Sequence, residues 1–215
     1  MKMKLLTALA VLAMAAVASA NIMVPNGDFE AGAANWSSFD DGTTVVSYEA
    51  TGGVNNSGYG LLDCSSGTWG AGFVSPEDFS YPGNDGVPLS FFGVSAGDDI
   101  TVSMDMKTFS GTSLGGLKIE SWGNGAMISN FGGDKPASGK SAEWATYTWD
   151  VTLPAGTDAL KLVPLVTWNY APNAVGTNLD AVIGFDNVSV VPEPATMGLF
   201  ALCGAGLLFV RRHLS

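Results

Sequence analysis

Apolar and polar residues alternate along several short stretches of the chain. The clearest case is the run from 99 to 107, where Ile100, Val102, Met104 and Met106 share one face. Strict alternation places one face of a β-strand on a core and the other in water. Similar strand-like runs are predicted at residues 43–49, 116–122, 144–153, 159–166 and 182–190. Gly-rich turn sequences separate these runs, so the sequence predicts an all-β sandwich.

The N-terminus carries an export signal. A basic start precedes an apolar run at residues 5–17, and a small-residue Ala-Ser-Ala site ends at Ala20. This order is that of a secretory signal peptide. We therefore predict that residues 1–20 are removed, that the mature chain begins at Asn21 and that the protein is exported.

The chain closes with an apolar segment between two prolines and two arginines. Residues 195–210 contain no charge, and Arg211 and Arg212 follow immediately. As a helix, this segment would be about 24 Å long, slightly under the usual spanning length, with its C-terminal end on the cytoplasmic side. Pro192 and Pro194 lack amide donors, so we expect no strand to continue through them. Residues 191–215 are thus predicted to form a separate segment with a single transmembrane helix.

Pro192-Glu193-Pro194, the apolar span and Arg211-Arg212 stand in this order at the extreme C-terminus. The combination resembles the PEP-CTERM sorting signal of Gram-negative bacteria. The resemblance implies that an exosortase-type membrane enzyme processes the chain near the motif. It also implies an anchored precursor in the inner membrane and a product at the cell surface or in an exopolysaccharide matrix. An ordinary single-span anchor is the alternative.

The charge of the exported part excludes several function classes. Between the signal peptide and Pro194 there are five lysines, no arginine and no histidine, against all twenty acidic residues of the chain. Such a surface is unsuited to nucleic acid, because phosphate binding needs clustered cations. Without histidine, Ser-His-Asp catalysis and His-containing zinc sites are excluded. Of the two cysteines, Cys203 lies in the apolar span, so we expect no disulfide and predict that Cys64 is a small core side chain.

A second resemblance covers nearly the whole of residues 21–190. The opening segment 24–30 (VPNGDFE), with Trp36 after it, and the closing segment 184–190 (GFDNVSV) resemble the end strands of galactose-binding-like, carbohydrate-binding-module-like jelly rolls. This resemblance implies a jelly-roll β-sandwich ectodomain in which the two segments lie close together. Residues 51–89 do not match the pattern clearly.

The same resemblance implies a structural Ca²⁺ near the first and last strands. The matching positions are Glu30 and Asp186, and Asp28 and Glu49 are weaker candidates. Carboxylate oxygens from loops that the fold brings together are the ligands that Ca²⁺ prefers. The alternative is that Glu30 and Asp186 only stabilise turns by accepting backbone hydrogen bonds.

Tryptophan and tyrosine residues are the candidates for a glycan-binding platform, because sugars lay their apolar faces on aromatic rings. Four aromatic residues are predicted to lie exposed in or beside Gly- and Asn-rich loops: Trp69, Trp122, Trp168 and Tyr170. Trp36 and Trp144 are predicted to pack in the core or at an edge, and Trp149 is compatible with either role. The alternative for the exposed set is that these rings only pack the loops.

Two functions remain after this reading. The first is a non-catalytic exported protein that binds or associates with extracellular polysaccharide. The second is a carbohydrate-active enzyme, a glycoside hydrolase or lyase, on the same sandwich. A pair of carboxylates about 5–10 Å apart in an open cleft would favour the enzyme.

Overall fold

A computed structural model describes residues 21–40, 42–66, 70–74, 86–131, 141–167 and 180–193. These residues form strands and two short 3₁₀ turns, Val54–Asn56 and Leu89–Phe91. The strands are β1 (Ile22–Met23), β2 (Ser37–Phe39), β3 (Val45–Glu49), β4 (Tyr59–Asp63), β5 (Gly70–Val74), β6 (Val87–Pro88), β7 (Asp99–Gly111), β8 (Gly115–Gly123), β9 (Ala126–Phe131), β10 (Ala145–Thr152), β11 (Ala159–Thr167) and β12 (Ala181–Pro192). The predicted all-β class is confirmed.

The strands form two antiparallel sheets. Sheet A has the order β10-β7-β12-β4-β3, and β1 also pairs with β12. Sheet B has the order β2-β5-β11-β8-β9, and β6 also pairs with β11. All six strand runs predicted from the sequence lie in these sheets. The arrangement is the predicted jelly-roll sandwich, with β7 and β12 paired at the centre of sheet A.

The main core lies between the sheets and follows the alternation seen in the sequence. Met104 and Met106 of β7 are buried in it, as is Phe185 of β12. Cys64 is fully buried in the same core, as predicted. Because alternate residues point to opposite faces, the odd-numbered residues of β7 line the outer face of sheet A.

The first and last segments of the ectodomain meet, as the sequence predicts. Ile22 pairs with Val190 in the β1–β12 ladder. Beyond it, the Val24 amide donates to the Val188 carbonyl (3.1 Å) and the Val188 amide donates to the carbonyl of Gly27 (2.9 Å). The chain therefore enters and leaves the sandwich at the same end of β12.

The end of β12 lies at the first of the two prolines, two residues beyond the predicted strand end at residue 190, and within the described residues no strand continues past it. The strand extends to Pro192, which lies opposite Ile100 of β7. The next amide, that of Glu193, donates to the Asp99 carbonyl (3.2 Å). Hydrogen bonds alternate along an antiparallel pair, so the nitrogen of Pro192 points away from β7 and its missing proton leaves no carbonyl of β7 unpaired.

Several predicted features lie outside the described residues. They are the signal peptide at residues 1–20, the apolar span at residues 195–210, and Pro194, Arg211 and Arg212. Within the parts of the chain given above, no helix has the length and apolar character needed to cross a membrane.

Candidate functional site

A loop at residues 52–58 covers part of the outer face of sheet A. It lies over Asp186 of β12, whose side chain is on that face and is fully buried. The Asp186 carboxylate accepts hydrogen bonds from the Val54 amide (2.9 Å), the Ser57 hydroxyl (2.8 Å) and the Asn187 amide (2.8 Å). Because a carboxylate offers about four acceptor positions, three donors nearly saturate it.

The environment of Asp186 disfavours its charge. Burial raises the pKa of this carboxyl to about 6, although its hydrogen bonds act in the opposite direction. Asp105, the residue opposite on β7, adds a smaller upward contribution through its negative charge. A positive charge near the loop would favour the ionised carboxylate.

Glu30 contacts the same loop. Its Oε1 atom accepts a hydrogen bond from the Gly58 amide (3.0 Å). The two stronger calcium candidates therefore both bond to this loop, Asp186 at Val54 and Ser57 and Glu30 at the next residue, Gly58. The weaker pair bonds to chain neighbours: Asp28 accepts the Glu30 amide (3.4 Å), and Glu49 accepts the hydroxyl of Ser47 (3.1 Å).

Oxygen atoms of three residues converge on the main chain at Gly53. A Cβ at Gly53 would lie 2.6 Å from the Gly58 carbonyl oxygen and 2.7 Å from both Asp186 Oδ2 and Ser57 Oγ. These oxygens converge so closely that only glycine is accommodated at residue 53. Within the described residues, no group of three or more acidic, histidine or cysteine side chains is suited to hold a metal. The remaining ligands of a Ca²⁺ would then be backbone and hydroxyl oxygens, which this ion accepts.

Three aromatic rings form a cluster on the outer face of sheet A beside the loop. Tyr59 stacks on Phe109 with ring centroids 5.7 Å apart, and Trp144 meets Tyr59 edge-on at 5.4 Å. The cluster rests on Gly184 of β12, where a Cβ would approach all three rings within 3.0 Å. The Trp144 indole also donates to the Gly52 carbonyl (2.9 Å), which ties the ring to the loop. Phe109 remains 43% exposed.

Polar side chains border this aromatic cluster. The Lys107 ammonium lies 5.0 Å from the centre of the Phe109 ring. Two residues before Lys107 on β7, the Asp105 carboxylate accepts hydrogen bonds from Thr146 (2.5 Å) and Asn187 (2.8 Å). The surface thus combines exposed ring area with a cation, a carboxylate and an amide, which are the groups that recognise sugar hydroxyls.

The sequence did not single out this cluster. The sequence predicts core or edge packing for Trp144, and no sequence motif points to Tyr59 or Phe109. The available signal was the alternation in β7, which puts residue 109 on the same face as 105 and 107. Tyr59 lies within residues 51–89, the region in which the family pattern is unclear.

Trp122 is the one predicted platform residue within the described parts of the chain. It lies in β8 rather than in a loop, and it is half-buried. Its indole donates to Glu120 (2.9 Å), and the Lys161 ammonium lies 4.6 Å from its ring centre. Glu120 also pairs with Lys118. These contacts place Trp122 on the outer face of sheet B, away from the aromatic cluster.

The other aromatic residues singled out from the sequence lie partly outside the described residues and partly in the core. Trp69, Trp168 and Tyr170 lie outside the described residues. Trp36 is buried in the core, as expected, and Trp149 is buried as well.

The C-terminal sequence pattern has a match among known protein families. Residues 190–212 match the PEP-CTERM protein-sorting motif. The chain carries this sorting motif. Its first residues, Val190 to Pro192, are the last residues of β12. No curated protein matches the chain.

The fold of the ectodomain is similar to that of carbohydrate-binding modules. The Family 16 Carbohydrate Binding Module-2 has 14% identity and a TM-score of 0.50, with 79% of this chain and 99% of that chain covered. The CBM22-2 xylan-binding domain from Paenibacillus barcinonensis Xyn10C has 17% identity and a TM-score of 0.50, with 77% and 96% covered. The enzymatically active domain of Bacteriophage CBA120 tailspike protein 4 has 14% identity and a TM-score of 0.54. The match covers 80% of this chain but only 21% of the tailspike domain. At these identities the likeness shows the fold alone.

Proposed function

We propose that this is an exported, non-catalytic protein that binds extracellular polysaccharide through the aromatic cluster of Tyr59, Phe109 and Trp144, in which Phe109 and Trp144 present ring surface and the buried Tyr59 supports them. The observation that carries the proposal is the position of these rings on the outer face of sheet A, held on Gly184 and bordered by polar groups. The relatives in fold that are named as carbohydrate-binding modules support the same reading.

The chemistry of the cluster suits a pyranose chain. Sugar rings present apolar C–H faces that pack on aromatic rings, and their hydroxyls bond to charged and amide groups at the border. The Lys107 ammonium would donate hydrogen bonds to hydroxyl or carboxylate oxygens of the glycan. The side chains of Asn187 and Asp105 are held in position by the hydrogen bond between them. The Trp144 indole is already bonded to Gly52, so a ligand would contact its ring rather than its nitrogen.

The acidic groups of this face do not form an open catalytic pair. Asp105 and Asp186 lie opposite each other on β7 and β12, but Asp186 is fully buried beneath the 52–58 loop. A hydrolytic mechanism needs both carboxyls beside the scissile bond. This covering favours binding over catalysis at the aromatic cluster.

A Ca²⁺ held between Glu30 and Asp186 belongs to the same proposal. These residues would supply carboxylate oxygens, and the 52–58 loop would supply carbonyl and hydroxyl oxygens. The ion would neutralise negative charge at a buried carboxylate. The Gly52 carbonyl of this loop also accepts a hydrogen bond from the Trp144 indole. Fixing the loop would therefore help to fix the aromatic cluster.

The sorting motif supports processing by an exosortase-type enzyme. In this proposal the apolar span anchors a precursor in the inner membrane of a Gram-negative bacterium. Processing then releases the ectodomain to the cell surface or to the exopolysaccharide matrix.

A glycan array followed by affinity measurements tests the binding proposal. The purified full-length chain in detergent is compared with Trp144→Ala and with Trp122→Ala, a matched change on the other sheet. Loss of an aromatic contact at the centre of a site costs more than about 1 kcal/mol, so we expect Trp144→Ala to weaken binding about tenfold. We expect Trp122→Ala to bind as the wild type does. The reverse result would move the site to sheet B, and no binding to any glycan would remove the proposal.

A further inference from the structure

The sorting motif begins inside the folded ectodomain. Val191 lies opposite Thr101, Pro192 lies opposite Ile100, and the Glu193 amide bonds to the carbonyl of Asp99. A protease takes its substrate as an extended chain whose backbone is accessible. The first residues of the motif meet that condition only after they leave β7.

The residues immediately upstream cannot leave without disrupting the core. Val190 is fully buried, and β1 covers its other edge through the pair with Ile22. Opening β12 upstream of Val191 would expose the Val190 side chain. It would also break the pairing of β12 with β7 on one side and with β1 on the other. The folded domain therefore limits how far the motif can be withdrawn.

The end of the ladder holds few hydrogen bonds. Pro192 and Ile100 are a pair whose amides face away from each other, so beyond Val191 the Glu193 amide supplies the bond to β7. Glu193 stands directly opposite Asp99, and like charges directly opposite on paired strands are destabilising. Glu193 is also exposed, so water competes for its amide.

We propose that the processing enzyme takes the motif after Pro192 and Glu193 have separated from β7, and that the opposed carboxylates of Asp99 and Glu193 promote this opening. Cleavage then falls on the C-terminal side of Val191. Hydrolysis of one peptide bond there consumes one water and leaves a carboxylate on the ectodomain and an amine on the apolar segment. The inference rests on the proposed exosortase-type processing and adds the step that controls access.

A reversible disulfide across the last rung of the ladder, where the Glu193 amide bonds to the Asp99 carbonyl, tests the opening step. Opposed residues in a hydrogen-bonded antiparallel pair have Cα atoms about 5.5 Å apart, within the range that a disulfide spans. The double variant Asp99→Cys/Glu193→Cys is expressed as the full chain in bacteria that carry an exosortase, beside each single variant as a control for mispairing and for the lost charge. Processing is followed by mass spectrometry of the C-terminus. We expect the oxidised double variant to remain unprocessed and a reductant to restore processing.

A change of charge tests the role of the opposed carboxylates. Asp99→Lys replaces repulsion with attraction, and Glu143→Lys makes the same change near the start of β10, at the other end of sheet A. We expect Asp99→Lys to slow processing about twofold to fivefold, from the size of cross-strand charge effects. The protection of the Glu193 amide from hydrogen exchange should rise in parallel. Glu143→Lys should change neither quantity.

The outcomes separate this inference from the processing proposal. Full-length wild-type protein at the surface of exosortase-bearing cells would remove both. A processed wild type with equally fast processing of the oxidised double variant would remove the opening step alone. A mature C-terminus upstream of Val191 would also contradict it, because the domain would then have opened further than the core allows.

Discussion

Removal of the buried charge at Asp186 should change how the stability of the ectodomain depends on pH. The pKa of this carboxyl rises from 3.8 to about 6 in the folded state, chiefly because it is buried. A difference of roughly 2.2 units corresponds to about 3 kcal/mol at 1.36 kcal/mol per unit. The folded state prefers the protonated form, so the contribution of Asp186 to the free energy of unfolding is fully present below pH 3.8. It is lost as the pH rises through 6.

The variant Asp186→Asn cannot ionise and keeps nearly the same shape. Urea denaturation of the wild type and the variant is measured from pH 4 to pH 7 in the presence of a calcium chelator. We expect the variant to gain about 2.4 kcal/mol on the wild type across this range, because part of the loss has already occurred at pH 4. Asp98→Asn, at an exposed carboxylate that bonds to the Ser95 amide, serves as the matched control. Addition of Ca²⁺ at pH 7 should stabilise the wild type and leave Asp186→Asn unchanged.

Two results would refute this reasoning. Parallel stability curves for wild type and Asp186→Asn in chelator would show that burial does not penalise the charge. A gain of the wild type on the variant as the pH rises in chelator would show that the hydrogen bonds from the 52–58 loop outweigh burial. In either case the loop would stabilise the ionised carboxylate without a metal.

Three further predictions follow from the same face and core. Ca²⁺ should raise the melting temperature of the wild type by mass action. Glu30→Gln should melt like the chelated protein, and its melting temperature should not change when a chelator is added. Equal melting curves of the wild type with and without Ca²⁺ would leave Glu30 as a turn former. Gly184→Ala should displace the rings that rest on it and weaken glycan binding while the protein still folds, and unchanged affinity on the glycan array would contradict the proposed cluster. Phe73→Ala should cost about 3–5 kcal/mol of unfolding free energy in urea, because the buried ring leaves a cavity between the sheets; a loss under 1 kcal/mol would contradict its place in the core.

The sequence was sufficient to predict the sandwich because its longest strands alternate regularly. In β7 the apolar positions from Ile100 to Met106 all face the core, as the pattern required. The meeting of the first and last strands came from the resemblance at residues 24–30 and 184–190, and the structure confirms it. Alternation could not predict β4, because Gly60 takes the core-facing position there and lies under the Phe73 ring.

The candidate site was harder to predict because it depends on which strands are neighbours. Tyr59, Phe109 and Trp144 are far apart in sequence and meet only because β4, β12, β7 and β10 are consecutive in sheet A. The glycine and asparagine after Trp122 suggest a loop, but Gly123 still belongs to β8 and the turn to β9 begins at Asn124, so Trp122 lies within the strand. The last strand runs two residues beyond the predicted end at residue 190, since the nitrogen of Pro192 faces away from β7 and needs no partner there.

The position of β12 also has a mechanical consequence. Gly184 beneath the aromatic cluster and Pro192 at the start of the sorting motif are on this one strand, about 26 Å apart at 3.3 Å per residue. A pull between a ligand on the aromatic cluster and the segment after Pro192 would load β12 along its own axis. Its hydrogen bonds to β7 and β4 lie across that axis, so the load is shared by many bonds in shear. The sandwich would then resist such a pull most strongly along the line from the cluster to Pro192.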